Sequence, residues 1–365
     1  MKNILKNNIL IFSLFPLFAF ANENLPLNKL QLPEGFSISV FASDVQGARS
    51  LALGDKGTIF VGSIHAGKVY AIVTDEKNKK QVITIASDLT MPNGVTFYNG
   101  SLYVAERHRI LRFDNIESYL VNPPKPIVIS QALPDKKHHD WRYLKIGPDK
   151  KLYVSIGAPC NTCLEKDERF ATIARMDLDG NHFEIYAKGI RNSVGFDWNP
   201  IDEKLWFTDN SRDWMGDDTP PEELNYAPQQ HLNFGFPYCH GKTISDPDFG
   251  KKIPCNNFTP PVFEMPAHVA PLGMTFYTGK NFPQTYHNQI FIAEHGSWNR
   301  STKVGYQVIS VKIKDNKVVA AKPFITGWLQ NEKAWGRPVD VLVMPDGTML
   351  ISDDHANVIY KVSYH

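Results

Sequence analysis

His138 and His139 stand side by side ahead of Asp140 in the stretch HHDWRYLKIGPDKKLYVSIGAPC, and no regular element separates them from the apolar run that follows. Histidine accepts a proton near neutral pH because its unperturbed pKa is about 6.5, so this pair holds a candidate general base. A loop histidine with a purely structural role would read the same way. GIRNSVGFDWNP presents Arg191 and Asn192 just before a strand-like segment, a planar guanidinium and an amide suited to anionic or carbonyl oxygens. EHGSWNRS and WGRPVDV add Arg300 and Arg337, and three arginines gathered in one place could hold a polycarboxylate. DNSRDWMGDDTPPEELN sets Asp209, Asp213, Asp217, Asp218, Glu222 and Glu223 among turn-forming residues. Oxygen ligands on an irregular backbone suit Ca²⁺, although EF-hand spacing is absent and a solvated acidic loop is the plainer alternative.

Residues so far apart in the chain need a fold that gathers them. Short runs rich in Val, Ile, Phe and Tyr alternate with Gly, Asn, Asp and Pro turns, and long amphipathic helical stretches are missing. Cut at each hairpin, the chain gives six similar units: LALGDKGTIFVGSIHAGKVYAI, VTFYNGSLYVAERHRILRFD, LKIGPDKKLYVSIGAPC with TIARMDLDG, FDWNPIDEKLWFTDNSRD, MTFYTGKNFPQTYHNQIFIAEHG with YQVISVKI, and VLVMPDGTMLISDDHANVIYKVS. Each reads strand, tight turn, strand, polar loop, strand. One such unit cannot bury both faces, and a closed ring of them solves the edge problem. The expectation is an all-β, six-bladed β-propeller forming a single domain over residues 22–365, in preference to a two-sheet sandwich. After the second strand of each unit come Ser63 and His65, Glu106-Arg107-His108, Gly157-Ala158-Pro159, Asp209-Asn210 with Arg212, Glu294-His295, and Asp353-Asp354-His355. In a ring, equivalent loops converge on one face, so these clusters should share a single concave site.

Composition narrows the partners. With 39 basic and 38 acidic side chains the net charge is +1, and no basic block argues for nucleic acid. The first 21 residues carry Lys2 and Lys6, an apolar run from Ile9 to Phe20 and a small-residue ending, Ala19-Phe20-Ala21, the pattern of a cleaved secretory signal. Pro16 and the shortness of the run disfavour a membrane span, so the mature chain is expected to be periplasmic or secreted, without stable membrane insertion. Four cysteines in an oxidising compartment favour two local bridges, Cys160 with Cys163 and Cys239 with Cys255, although a CxxC could also be redox-active or half of a zinc site.

Taken together, these motifs resemble the soluble quinoprotein sugar dehydrogenases, the glucose/sorbosone dehydrogenase family. The resemblance runs from LPEGFSISVFASDVQGARSLAL through HHDWRYLKIGPDKKLYVSIG, GIRNSVGFDWNP, DDTPPEELN with LNFGFP, and GRPVDVLVMPDGTMLISDD. It implies an exported six-bladed propeller that uses pyrroloquinoline quinone and Ca²⁺ to oxidise a sugar or related aldehyde. By position it implies that His139 is the base that takes the substrate hydroxyl proton while hydride passes to the quinone, and that Arg191 stabilises the developing charge. Arg191, Asn192 and Arg337 fall on cofactor-binding positions, with Arg300 or Lys303 nearest to the family's cofactor lysine. The resemblance places the cofactor calcium on backbone oxygens around Asn210, Ser211 and Asp213, and a second, structural calcium near Asp218 and Glu223. Asp140 or His138 would orient the base. Two departures stand out: Trp141-Arg142-Tyr143 replaces the family's Gly-Gly-Arg, which should narrow the pocket mouth with two rings, and Val339 replaces a second arginine.

Cys163 is followed by Leu164, so there is no C-x-x-C-H haem signature, and electrons would leave to an external acceptor, a soluble cytochrome or a quinone. Two other readings fit a six-bladed ring. A calcium-dependent lactonase would use Asp209, Asn210, Glu106 and His295 to activate water, and a non-catalytic propeller would bind a glycan or peptide on the same face. The several arginines favour the dehydrogenase.

Overall fold

The structure, a computed structural model, describes residues 25–365, so residues 1–21, read above as a secretory signal, lie outside the described residues. Six four- or five-stranded, mainly antiparallel sheets follow one another along the chain, and two short two-stranded ribbons, Cys239–His240 with Ile244–Ser245 and Leu329–Gln330 with Lys333–Ala334, lie outside them. The first blade runs Leu51–Leu53, Ile59–Val61, Val69–Thr74 and Lys80–Ala86, and the second runs Gly94–Tyr98, Ser101–Ala105, Ile110–Phe113 and Ile127–Ser130. The third comprises Leu144–Ile146, Leu152–Ile156, Thr172–Met176 and Glu184–Lys188, with a short parallel addition at Leu232–Asn233. The fourth and fifth are Phe196–Trp198, Leu205–Asp209, Glu222–Ala227 and Phe263–Met265, then Pro271–Phe276, Ile290–Glu294, Gln307–Lys314 and Lys317–Ile325. The sixth is closed by both ends of the chain: Phe36–Ala42 pairs antiparallel with Val358–Tyr364, beside Met349–Asp353 and Pro338–Val343. This is the six-bladed propeller expected from the repeat, and it rules out the two-sheet sandwich.

Local chemistry explains the blades. In the second, Tyr98 pairs with Ser101 across a two-residue turn, Asn99-Gly100, whose φ values of 48° and 80° suit the left-handed turn that right-twisted strands prefer. The core is divided between blades. Phe60, Ile85, Val104 and Phe113 pack the first blade on the second; Trp206, Met274 and Ile292 pack the fourth on the fifth; Leu51, Ile72, Leu350 and Ile359 pack the sixth on the first. Burial is deepest in the inner strands of each sheet and falls off in the outer ones such as Ile127–Ser130 and Lys317–Ile325. Near the axis, side-chain bonds tie neighbouring blades: Asn93 donates to the Arg142 carbonyl at 2.8 Å, the Asp340 carboxylate accepts from the Leu51 amide at 2.9 Å, and Thr208 donates to the Leu272 carbonyl at 2.7 Å.

Both cysteine pairs are bridged as expected, Cys160 to Cys163 and Cys239 to Cys255, and no cysteine is free among the described residues. No helix of the described residues is long and apolar enough to cross a membrane.

Candidate active site

The loops of one face enclose a cavity of about 600 Å³ whose wall takes residues from every blade or the connections between blades. That size lies within the usual range for small-molecule sites.

His139 is the most constrained of them. It sits in the connection ahead of the third blade, with its backbone and that of His138 in the left-handed region at φ 44° and 76°. Such angles are uncommon outside glycine and cost on the order of 1–3 kcal/mol each unless the surroundings enforce them. Arg142 does the enforcing: buried, it donates from Nη1 to the His139 carbonyl at 3.1 Å, from Nη2 to the Pro134 carbonyl at 3.0 Å and from Nε to the Arg107 carbonyl at 3.0 Å. Gly157 leaves the space for the ring, since a Cβ there would meet the His139 Cβ at 2.6 Å. Nδ1 of His139 lies 2.8 Å from the Ala158 carbonyl, which can only accept, so Nδ1 carries the proton and Nε2 keeps a lone pair. No hydrogen bond to Nε2 is formed among the described residues. Burial, reinforced by the nearby Arg191 charge, holds this imidazole well below its usual pKa and therefore neutral at neutral pH. The group that orients the His139 ring is the Ala158 carbonyl rather than Asp140 or His138: Asp140 is paired with Arg107 at 2.5 Å, and His138 meets the ring only edge-on, with centroids 4.1 Å apart.

Arg191 and Asn192 lie between the third and fourth blades, and the Asp209 carboxylate fixes their backbone by accepting from both amides, at 2.8 and 2.6 Å. Burial pushes Asp209 up to about 7. The Arg191 guanidinium bonds Asn161, the Asn210 carbonyl at 3.0 Å and the Asp213 carboxylate at 2.9 Å. Oδ1 of Asn192 is buried at the cavity without a partner. Arg337 differs from Arg191: its Nε and Nη2 donate to the carbonyls of His295 at 3.0 Å and Gly296 at 2.7 Å, its guanidinium lies over the Tyr306 ring, and it forms no salt bridge among the described residues. A guanidinium with no carboxylate in contact suits an anionic group, and the unpaired amide oxygen at the same wall suits a hydrogen-bond donor or a cation.

The remaining candidates separate. Arg300 donates to the Asp217 carbonyl and, at 2.8 Å, to the Asp218 carboxylate, and Lys303 bonds the Glu332 carbonyl at 2.6 Å; neither lines the cavity. Asn210, Ser211 and Asp213 do line it, together with Glu222, which burial pushes up to about 8. Asp218 is 85% exposed at the rim, and Glu223 is buried in its blade, accepting from the Gly241 amide at 2.7 Å and Asn225 at 3.0 Å. These two therefore lie apart from the other three, and from each other. Among the described residues no three His, Cys, Asp or Glu side chains form a metal-holding group. The main-chain carbonyls of Ser211 and Arg212 accept no hydrogen bond among the described residues, which leaves oxygens for a hard cation. The lactonase set does not assemble: Glu106 is spent on the Thr90 amide and Arg109, and Asp209 on the Arg191 and Asn192 amides.

Trp141 lines the cavity, with its ring edge-on to His139 at 5.9 Å and its Nε1 buried without a partner. Tyr143 does not narrow the mouth: it turns into the core between the third and fourth blades against Phe196. Val339 packs with Val194 and Leu272 beneath Trp141, so of the departures from the resembled pattern Trp141 and Val339 share one apolar cluster.

Sequence reasoning missed Arg49, Asn161 and Trp298. Arg49 reaches the cavity, and its Nη1 pairs at 2.9 Å with Asp354, whose other oxygen accepts from His295 Nε2 at 2.8 Å. Burial, with Arg337 and Arg49 nearby, lowers His295 to about 4. The missed signal is positional, because Arg49, like Arg191 and Arg337, shortly precedes the first strand of a blade. Trp298, 64% exposed, meets the 70% exposed Trp214 edge-on at 5.2 Å across the rim.

Comparison with known proteins bears on this geometry. The TrAA12-like family model matches residues 30–365. An uncharacterized protein of Borreliella burgdorferi is 38% identical over 92% of this chain and 91% of its own length. A pyrroloquinoline quinone-dependent sugar dehydrogenase of Hypocrea jecorina is 31% identical over 74% of this chain and 77% of its own. In fold, the chain is similar to the calcium structure of the Trichoderma reesei family AA12 enzyme, with TM-score 0.81 and 20% identity over 95% of this chain and 100% of the other. It is also similar to the holo pyranose dehydrogenase quinone domain of Coprinopsis cinerea, with TM-score 0.76 and 18% identity over 92% and 97%.

Proposed function

Since the chain belongs to the TrAA12-like family of soluble quinoprotein sugar dehydrogenases, we propose that it is an exported oxidoreductase that takes a hydroxyl-bearing carbon of a sugar, or a related aldehyde, to the next oxidation level. The observation that carries this reading is the state of His139: proton fixed on Nδ1, lone pair on Nε2, ring neutral, at the wall of a cavity that also holds an unpaired guanidinium.

The residues present fit pyrroloquinoline quinone, a flat tricarboxylate. Arg337 and Arg191 supply cationic donors, and the unpartnered Asn192 Oδ1 and Trp141 Nε1 offer an acceptor and a donor at the same wall. Ca²⁺ would be held by main-chain oxygens of the 210–213 segment. When bound, the quinone supplies the two-electron acceptor and the calcium a Lewis acid. The protein's share is to hold the substrate hydroxyl at Nε2 of His139, receive its proton there, and keep the cavity's cationic side against developing negative charge. Trp298, which lines the cavity and meets Trp214 edge-on, presents an apolar face of the kind on which a sugar ring stacks. Electrons leave to an external acceptor, a soluble cytochrome or small quinone.

The test is His139→Ala in the mature chain. It should abolish sugar-dependent dye reduction while quinone affinity stays within about threefold of wild type; a variant that turns over normally removes the assigned base.

A further inference from the structure

One polar side chain joins the two halves of this site from outside the cavity. Asn161 belongs to the segment of residues 157–171, which contains no regular strand. Its main-chain carbonyl accepts from Arg191 Nε at 2.8 Å, and its Oδ1 accepts from Arg191 Nη2 at 2.8 Å and from the Asp213 amide at 2.9 Å. Its Nδ2 donates in turn to the Asp213 carbonyl at 3.1 Å. Two of the guanidinium's hydrogen bonds therefore end on Asn161, and the same amide grips the Asp213 backbone from both its N–H and its C=O. Arg191 and Asp213 belong to different connections of the fourth blade, one ahead of its first strand and one after its second. Besides Asn161, the two connections are joined by the Arg191–Asp213 ion pair, by Arg191 Nη1 donating to the Asn210 carbonyl at 3.0 Å and by Asn210 donating to the Asn192 carbonyl, so among the described residues Asn161 is the one contact that reaches both from a third segment.

What holds Asn161 is covalent. It lies between Cys160 and Cys163, whose bridge closes a tight ring within an otherwise irregular segment. Closing a loop removes conformations that the open chain would sample, and here the residue so restricted is the one that makes the contacts.

We propose that Asn161 is a positioning residue, held by the Cys160–Cys163 disulfide, that sets the spacing between Arg191 and the 210–213 segment and thereby the affinity of the site for its quinone and cation. The inference rests on the functional reading above. It makes the site redox-sensitive. A dithiol such as dithiothreitol, becoming a disulfide itself, converts Cys160 and Cys163 to thiols, and Asn161 loses its tether. Supporting partners of this kind typically change ligand affinity about 10–100-fold when removed.

The experiment measures quinone affinity by absorption titration in Ca²⁺, and backbone hydrogen exchange without quinone, for wild type, Asn161→Ala, Asn161→Asp and the double variant Cys160→Ser/Cys163→Ser. The double variant leaves Cys239–Cys255 intact. Asn161→Ala and the double variant should each weaken quinone binding about 10-fold or more and speed exchange at residues 210–213. Asn161→Asp keeps the acceptor oxygens and should recover part of the affinity, which a mere loss of stability would not reproduce. Should those variants fail to fold, quinone-free Cys239→Ser/Cys255→Ser, whose remaining bridge is Cys160–Cys163, is followed by hydrogen exchange before and after dithiothreitol, and faster exchange at residues 210–213 after reduction is the expected result. Wild-type affinity in Asn161→Ala, or unchanged exchange at 210–213, overturns the proposal. If wild type itself binds no quinone, the functional reading falls, and exchange at 210–213 alone decides the role of Asn161.

Discussion

At the scale of single residues, the proposed reaction rests on the His139 imidazole being kept neutral. Burial is the main cause, and the Arg191 charge adds to it. The sign follows directly: a base works when unprotonated, and a folded-state pKa below the ordinary value of about 6.5 keeps it unprotonated as pH falls through that value. The acid limb of kcat/KM for sugar oxidation should therefore lie below pH 6.5, and a limb at or above it would show that the ring is not held as described. His139 itself was legible in the sequence because the hairpin grammar does not require it. Its orienting partner was not, because the bond goes to the main-chain carbonyl of Ala158, and a carbonyl leaves no mark on residue type. Arg300 and Lys303 show the opposite failure: their types suit an anion, but Asp217, Asp218 and Glu332 occupy them at the rim.

At the scale of elements, the connection 134–142 and the end of the strand Leu152–Ile156 must meet closely for His139 to sit where it does. Gly157 is the point of approach, where an added Cβ would also come within 2.9 Å of the His139 carbonyl and 3.2 Å of Asn192 Oδ1. Gly157→Ala should therefore push on His139, the proposed base, and on the Asn192 amide together. Overpacking of this kind costs about 1–3 kcal/mol, so a modest fall in melting temperature should accompany a disproportionate loss of turnover. Wild-type turnover would mean that the approach is looser than the geometry implies. Repetition made the blades readable, and with them the face on which the site forms. Which acidic residues of the loop 209–225 reach the cavity was not readable, because neighbouring positions in an irregular loop point differently: Glu222 lines the wall while Glu223 is buried inside the blade.

At the scale of the whole molecule, the ring is closed by its two termini. Phe36 on the closing strand packs edge-on against Phe282, Phe324 and Tyr286, which belong to the fifth blade or its loops. Closure removes the exposed edge that Val358–Tyr364 would otherwise offer. Phe36→Ala should cost on the order of 2 kcal/mol, read in denaturant unfolding, and an unchanged midpoint would mean that closure does not rest on this ring. The closing strand was not among the six units seen in the sequence, since it is separated from its partner by nearly the full chain. The ring as a whole matters because it alone brings Arg49, His139, Arg191 and Arg337 to one cavity. The most direct test of that assembly is titration of the mature chain with pyrroloquinoline quinone in Ca²⁺, followed by addition of candidate sugars and a redox dye. Saturable binding near one quinone per chain, with dye reduction that depends on sugar, is the expected result; a chain that binds no quinone and reduces no dye with any sugar, alcohol or aldehyde contradicts the account.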